Sequence, residues 1–317
     1  MQHELLQFSI TAYAGPETGL EEVFMKTHYA LRRWIDRLKA AELCLLLACI
    51  CIFAPNTLAQ DTSGTTAAAP HRLTRPEMEE FLLKAKVVER KNLSTGITNS
   101  QRAVLDDGHL RHDAHIQTVN ISKTSYQTAQ GTEMNFRDCY KFNVAAYELD
   151  KLLNLNMVPV SVERKVGDMA AVTWWVDDAW MTDLERMKKK IEPAEQPYWN
   201  QQMYVCRVFD QLIYNMDRNL GNLVITKDWT VWLIDHTRAF RMMKDLHTPK
   251  DLVQCDRSLL AKLRELNKER LEEKLHKYLS PLEIDALLAR RDKIVKFFDD
   301  QIAQKGEAAV LFDLARK

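Results

Sequence analysis

The chain has 317 residues, of which 46% are hydrophobic, and its 44 Lys and Arg residues balance 44 Asp and Glu residues. This ordinary globular composition excludes collagen-like, coiled-coil and wholly disordered proteins. A net charge of zero argues against bulk electrostatic capture of nucleic acid, so no nucleic-acid partner is expected. Outside an N-terminal apolar run the cysteines are Cys139, Cys206 and Cys255, which have neither disulfide-framework nor metal-ligand spacing.

A leader is predicted from the uninterrupted apolar run at 43–54, which follows basic residues at 32–39. A basic flank, a short apolar stretch and a small-residue exit are typical of a secretory signal peptide, whereas a membrane span needs about 20 residues. We expect residues 1–59 to be this signal peptide, cleaved after Ala59, and 60–76 to be a flexible linker. A buried core helix or an uncleaved anchor is the alternative, and the uncleaved leader is the one membrane contact expected. The protein is therefore predicted to be exported, to the periplasm, the cell envelope or the extracellular space.

The first part of the mature chain is predicted to form an antiparallel sheet. A helix should begin at Pro76, because proline suits the first helical turn and acidic residues follow it. Strands are predicted at 86–93, 101–105 and 109–119, and the Asp-Gly pair at 107–108 is a strong hairpin signal.

The rest of the chain is predicted to be mainly helical. Apolar residues recur at helical spacing over 136–153 and 201–216, and charged amphipathic helices follow residue 256. Strand pairs are predicted within 157–179 and 223–235. A sheet followed by helices indicates an α+β protein with two lobes.

Three polar residues are predicted to meet at the open end of the second strand pair. Asp217 lies in the loop after an apolar helix, Asn222 precedes the first strand, and Asp235 follows the second. An amide oxygen and a carboxylate can hold Mg²⁺, which keeps waters and phosphate oxygens as its other ligands. Phosphoryl transfer needs such a metal and a carboxylate that orients or deprotonates the acceptor.

Two structural alternatives exist for these residues. In the first, Asp235 pairs with Arg218 or Arg238 and the loop carboxylate is only a cap. In the second, a different fold uses the cluster to bind a structural cation. A separate metal site at His112 and His115 is disfavoured, because residues three apart point to opposite faces of a strand.

The arrangement resembles the atypical protein-kinase-like superfamily, which includes HipA-type bacterial kinases, phosphoinositide lipid kinases and secretory-pathway Golgi kinases. Their catalytic loop has the form Asp-Arg-x-x-x-Asn, and the hairpin after it ends in a metal-binding Asp. Asp217, Arg218 and Asn222 match the loop, and Asp235 matches the end of the hairpin. The resemblance implies that Asp217 is the catalytic carboxylate, that Asn222 and Asp235 bind Mg²⁺ or Mn²⁺, and that ATP is the donor. The chain looks like an exported, bacterial-type member.

The resemblance also implies a bilobal kinase-like fold. Residues 77–178 would be an N-lobe, with a nucleotide-covering sheet and one helix, and 179–317 a helical C-lobe that carries the catalytic loop and the metal-binding hairpin. Gly96 would lie in the turn that covers the nucleotide. Val176 would lie in the hinge that meets adenine.

The lysine that grips the nucleotide phosphates in such proteins has no counterpart on the predicted third strand. Gln117 stands at the expected position, and Lys123 lies beyond the strand. The helix that would orient the lysine offers Asn143, or Glu148 further along, as the partner.

We therefore expect a kinase-like phosphotransferase that uses ATP and a divalent metal. Its phosphoryl acceptor is unknown and could be a protein, a lipid or a small molecule. The alternative is a catalytically inactive kinase-like binding module at the cell envelope.

Overall fold

The computed structural model describes residues 73–93, 100–128 and 131–316. The predicted signal peptide, most of the predicted linker and Gly96 lie outside the described residues. The described part belongs to one unit, Pro70–Lys317.

The helices and strands follow one another as two groups, with most strands before residue 183 and most helices after it. The helices are α1 (Arg75–Lys84), α2 (Lys141–Leu153), α3 (Asp183–Lys189), α4 (Gln196–Ile213), α5 (Arg257–Glu265), α6 (Lys268–Leu275), α7 (Pro281–Lys305) and α8 (Glu307–Val310). The strands are β1 (Lys86–Asn92), β2 (Gln101–Asp106), β3 (Arg111–Gln117), β4 (Asn120–Thr128), β5 (Gly131–Cys139), β6 (Ser161–Val166), β7 (Asp168–Trp174), β8 (Ala179–Thr182), β9 (Leu223–Thr226), β10 (Val231–Leu233), β11 (Cys255–Asp256) and β12 (Leu311–Phe312). Short 3₁₀ turns occupy Leu220–Asn222 and Pro249–Asp251.

The first lobe is built on an antiparallel sheet in the order β1-β2-β3-β7-β6. Alternate residues of β2 and β3 are fully buried on one face, where Ala103 pairs with Ala114. The β2–β3 turn confirms the hairpin prediction: Gly108 has φ +91°, and its N–H donates to the Asp106 carboxylate over 2.8 Å. Helices α1 and α2 pack on this sheet, so the lobe holds two helices.

A hairpin formed by β4 and β5 departs from the predicted secondary structure. The helix predicted over 136–153 begins only at Lys141, because residues 131–139 pair as a strand with 120–128. Most β4 side chains are exposed, so the segment lacks the half-buried alternation that reveals a strand in a sequence. The Tyr140 N–H donates to the carbonyl of Val119 over 2.7 Å and closes the base of the hairpin.

The second lobe is mainly helical, and α4 and α7 pack together in its core. Arg290 of α7 is fully buried and donates to the carbonyls of Leu212 (2.8 Å) and Arg241 (2.9 Å). Burial lowers the pKa of Arg290 to about 10. A three-stranded sheet, β10-β9-β8, joins this lobe to the chain arriving from β7. In the part of the chain that the structure describes, no helix is both long and apolar enough to cross a membrane.

The structure thus confirms the α+β organisation, with an antiparallel sheet in the first lobe and helices in the second. The lobe limits at residues 178 and 179 stay a prediction.

Candidate active site

A cleft of about 1260 Å³ separates the two lobes. Its walls include His115 from β3, Val176 after β7, and Asp217 in the loop after α4. Val176 lies between β7 and β8, and its place in an interlobe hinge stays a prediction. Its contact with adenine stays a prediction.

Arg218 holds the loop and the hairpin together from within. Its guanidinium pairs with Asp210 at 2.9 Å and donates to the carbonyls of Asn222 (3.0 Å) and Ile234 (2.8 Å). Burial alone would lower the pKa of Arg218, but the Asp210 carboxylate outweighs it and holds that pKa above its usual value. A permanent cation therefore ties the end of α4 to both strands of the hairpin.

The structure brings Asp217, Asn222 and Asp235 to the same wall of the cleft. The Asn222 side-chain amide donates to the carbonyl of Asp217 over 3.0 Å, and the Ile234 N–H donates to the carbonyl of Asn222 over 3.1 Å. Asp235 has φ +52°, a left-handed conformation that Asp tolerates better than most residues. Its Oδ1 accepts a 3.0 Å hydrogen bond from the Thr237 hydroxyl.

The predicted alternative pairing of Asp235 with an arginine is wrong for the described residues. Arg218 pairs with Asp210, and Arg238 pairs with Glu133 over 2.6 Å. The carboxylates of Asp217 and Asp235 therefore face the cleft without a salt bridge to either arginine.

Asp138, near the end of β5, is a site residue that the sequence did not indicate. Its side chain is 7% exposed, and its Oδ1 is buried with no hydrogen-bond partner among the described residues. Burial raises the pKa of Asp138, a hydrogen bond to Thr237 opposes the rise, and the carboxylates of Asp235 and Asp217 add to it. A bound cation would compensate this buried carboxylate, because an opposite charge favours the ionised form.

The donor set fits a hard divalent cation. Asn222 uses its nitrogen as a donor to the backbone, which leaves its oxygen available, and Asp235 uses Oδ1 for Thr237, which leaves Oδ2. Together with Oδ1 of Asp138 these are the oxygen ligands that Mg²⁺ prefers. Within the described ranges no group of three or more His, Cys, Asp or Glu side chains could hold a metal ion by itself. A metal here would therefore need water or phosphate oxygens as further ligands.

β3 presents no permanent cation to the cleft. The Gln117 side chain is buried and is held by a 3.0 Å bond to the Ser100 hydroxyl and by the N–H of Val119. Burial lowers the pKa of His115, against the attraction of Asp235, so its imidazole is neutral at pH 7. His112 stacks on Trp174, with ring centroids 3.6 Å apart, and lines a separate small pocket, whereas His115 lines the cleft.

Helix α2 positions the segment that follows Asp235. The Asn143 side-chain oxygen accepts a 2.7 Å hydrogen bond from the N–H of His236, and the N–H of Cys139 donates to the carbonyl of Thr237 over 2.9 Å. Glu148 instead pairs with Lys151 over 2.9 Å. Neither Asn143 nor Glu148 therefore orients a phosphate-gripping lysine on β3.

No protein-family model matches the chain, and no curated protein matches it in sequence. Solved structures share its fold. Hydra Fam20 with sugar superposes with a TM-score of 0.58 at 13% identity, covering 75% of this chain and 92% of that one. A Golgi casein kinase, solved also with Mn/ADP bound, gives a TM-score of 0.54 at 14% identity, covering 75% of this chain and 78% of that one. The bilobal kinase-like fold predicted from the sequence is confirmed.

Proposed function

We propose that this protein is a kinase-like phosphotransferase that uses ATP together with Mg²⁺ or Mn²⁺. The observation that carries the proposal is the convergence of Asp217, Asn222 and Asp235 on one wall of the interlobe cleft, beside the uncompensated carboxylate of Asp138. The fold supports it, because the similar solved structures include a kinase with Mn/ADP bound. The acceptor is a protein, a lipid or a small molecule that carries a hydroxyl group.

Each side chain has a distinct part in this reaction. Asn222, Asp235 and Asp138 would hold the metal, which when bound neutralises phosphate charge. Asp217 accepts the proton of the acceptor hydroxyl while the oxygen of that hydroxyl bonds to the γ-phosphorus of ATP. The bond between that phosphorus and the β–γ bridging oxygen breaks, and ADP leaves with the electron pair. Arg218 fixes the position of the loop that carries Asp217 relative to the hairpin that precedes Asp235.

We place this reaction outside the cytoplasm, in the periplasm, the cell envelope or the extracellular space. The apolar run at 43–54 supports export through the signal peptide predicted at residues 1–59. The kinase-like fold shared with a Golgi enzyme agrees with a secretory-pathway setting.

A catalytically inactive binding module is the second candidate. The observation that favours it is that β3 presents no permanent cation to the cleft, where Gln117 is uncharged and His115 is neutral. Such a module would keep the cleft and the acidic residues but would transfer no phosphoryl group.

Thermal unfolding of the full chain with ATP and Mg²⁺ or Mn²⁺ tests the nucleotide site. A ligand at about 100 times its Kd should stabilise the protein by about 2.7 kcal/mol. Asp235→Asn should abolish this stabilisation, and Asn is chosen because it tolerates the left-handed backbone at this position. An unchanged melting temperature of the wild-type protein with both metals would contradict the proposal.

Asp217→Asn separates the two candidates. In a phosphotransferase this variant should still be stabilised by metal and ATP but should lose ADP production, because only the proton acceptor is removed. In an inactive module, wild type and Asp217→Asn should bind equally and release equally little ADP.

A further inference from the structure

We infer that Lys123, on the hairpin of β4 and β5, is the cation that binds the phosphates of the nucleotide. The inference rests on the proposed function and concerns the same cleft. In this assignment the cation that binds the phosphates lies on the β4–β5 hairpin and not on β3 of the central sheet.

Among the described residues, one positively charged side chain in the cleft is available to bind phosphate. Lys123 and Arg238 are the lysine and arginine side chains found there. Arg238 is committed to Glu133 through a 2.6 Å salt bridge, and Glu133 also binds Arg241. Lys123 has no carboxylate partner within the part of the chain that the structure describes.

Aromatic contacts hold Lys123 without using up its hydrogen-bond donors. Its ammonium lies 4.6 Å from the ring centroid of Tyr126, and that ring packs 4.2 Å from the ring of Phe136. A cation–π contact orients an ammonium group but leaves its N–H groups free for an anion. Lys123, Tyr126 and Phe136 all line the cleft.

The register of the hairpin places Lys123 near the metal side of the cleft. Lys123 pairs with Phe136, and Ile121 pairs with Asp138, so Lys123 and Asp138 are diagonal neighbours on one face. Such diagonal neighbours lie about 7–8 Å apart, a separation that phosphate groups can bridge. The Cys139 N–H bond to Thr237 ties this hairpin to the segment that follows the proposed metal ligand.

The test compares the affinity for ATP with the affinity for adenosine, both in the presence of Mn²⁺, by titration of the full chain. Lys123→Met keeps the aliphatic stem and removes the charge, so ATP should bind about tenfold to a hundredfold more weakly. Adenosine affinity should not change, because adenosine has no phosphates. Lys123→Arg should retain ATP affinity, and Lys165→Met, an exposed β6 lysine outside the cleft, is the matched control.

Each outcome decides the assignment. Wild-type ATP affinity in Lys123→Met, alongside lost ATP affinity in Asp235→Asn, would overturn the lysine assignment and leave the proposed function standing. Equal weakening of ATP and adenosine would also overturn it, because the effect would then not involve the phosphates. Failure of the wild-type protein to bind ATP would overturn both proposals.

Discussion

Replacing Asp138 by Asn should stabilise the metal-free protein at neutral pH. Burial, together with the carboxylates of Asp235 and Asp217, raises the pKa of Asp138 above its ordinary value of 3.8, against the hydrogen bond to Thr237. The folded chain therefore holds this proton more tightly than the unfolded chain does. Ionisation of Asp138 therefore destabilises the folded state. This loss of stability is absent below about pH 3.8, grows between pH 3.8 and the raised folded-state pKa, and is complete above that pKa.

The size of the effect follows from the charge that Asn removes. An unpaired buried polar atom costs about 1–3 kcal/mol and a charged one costs more, so replacing the carboxylate by a neutral amide of the same shape should recover about 1–3 kcal/mol. For a folded unit of this size, about 1 kcal/mol corresponds to a shift of about 2–4 °C in Tm. Asp138→Asn should therefore raise the Tm of the metal-free protein by about 2–12 °C at pH 7.5. The gain should shrink as the pH falls towards 3.8, the ordinary value for Asp.

The assay is thermal unfolding as a function of pH, from about pH 4 to 8, with and without Mn²⁺. Mn²⁺ should stabilise the wild-type protein more than the variant, because Asn removes one anionic metal ligand. Asp168→Asn, at an exposed position, is the control and should shift neither curve. A variant that is less stable than wild type without metal at pH 7.5, or a gain that does not depend on pH, would refute this reasoning.

Three further predictions concern the second lobe and are checked by urea unfolding. Arg218→Met should cost about 3–5 kcal/mol, because it leaves the mostly buried Asp210 without its partner. Arg257→Ala should leave the urea midpoint almost unchanged, because its 2.7 Å salt bridge to Glu307 is exposed to water. Ser280→Ala should cost about 0.5–2 kcal/mol, because it removes the hydroxyl of the capping box at the start of α7.

These predictions can fail independently. If Arg218→Met and Arg257→Ala cost the same, burial does not set the strength of these ion pairs. If Ser280→Ala unfolds at the wild-type urea concentration, the capping box does not contribute to the stability of α7.

The local parts of the site could be predicted from the sequence because their residues are close along the chain. Asp217, Asn222 and Asp235 are joined by one loop and one tight hairpin, so the turn between β9 and β10 is enough to bring Asn222 and Asp235 together. The Asp-Gly turn at 107–108 is local in the same way, because the conformational preference of two residues sets the β2–β3 register.

The β4–β5 hairpin could not be predicted in this way, and Asp138 was missed with it. A strand can be recognised in a sequence when one of its faces is buried, because apolar and polar residues then alternate. Most β4 side chains are exposed, so this alternation is missing. The only local signals were β-branched and aromatic residues on either side of Gly131. The helical spacing that begins at Phe136 therefore extended the predicted helix into β5.

What the sequence by itself determined is the order of the elements and the hairpin that joins Asn222 to Asp235, because hydrophobic period and turn chemistry act over a few residues. What only the tertiary structure decided is which distant groups share the cleft. Almost a hundred residues separate Asp138 from Asp235, yet the Asp235 carboxylate lies near enough to raise the pKa of Asp138. Outside the cleft, Arg218 pairs with Asp210 rather than with Asp217 or Asp235. Those choices depend on packing between lobes and on burial, which set the electrostatic energy of each group and leave no local mark in the chain.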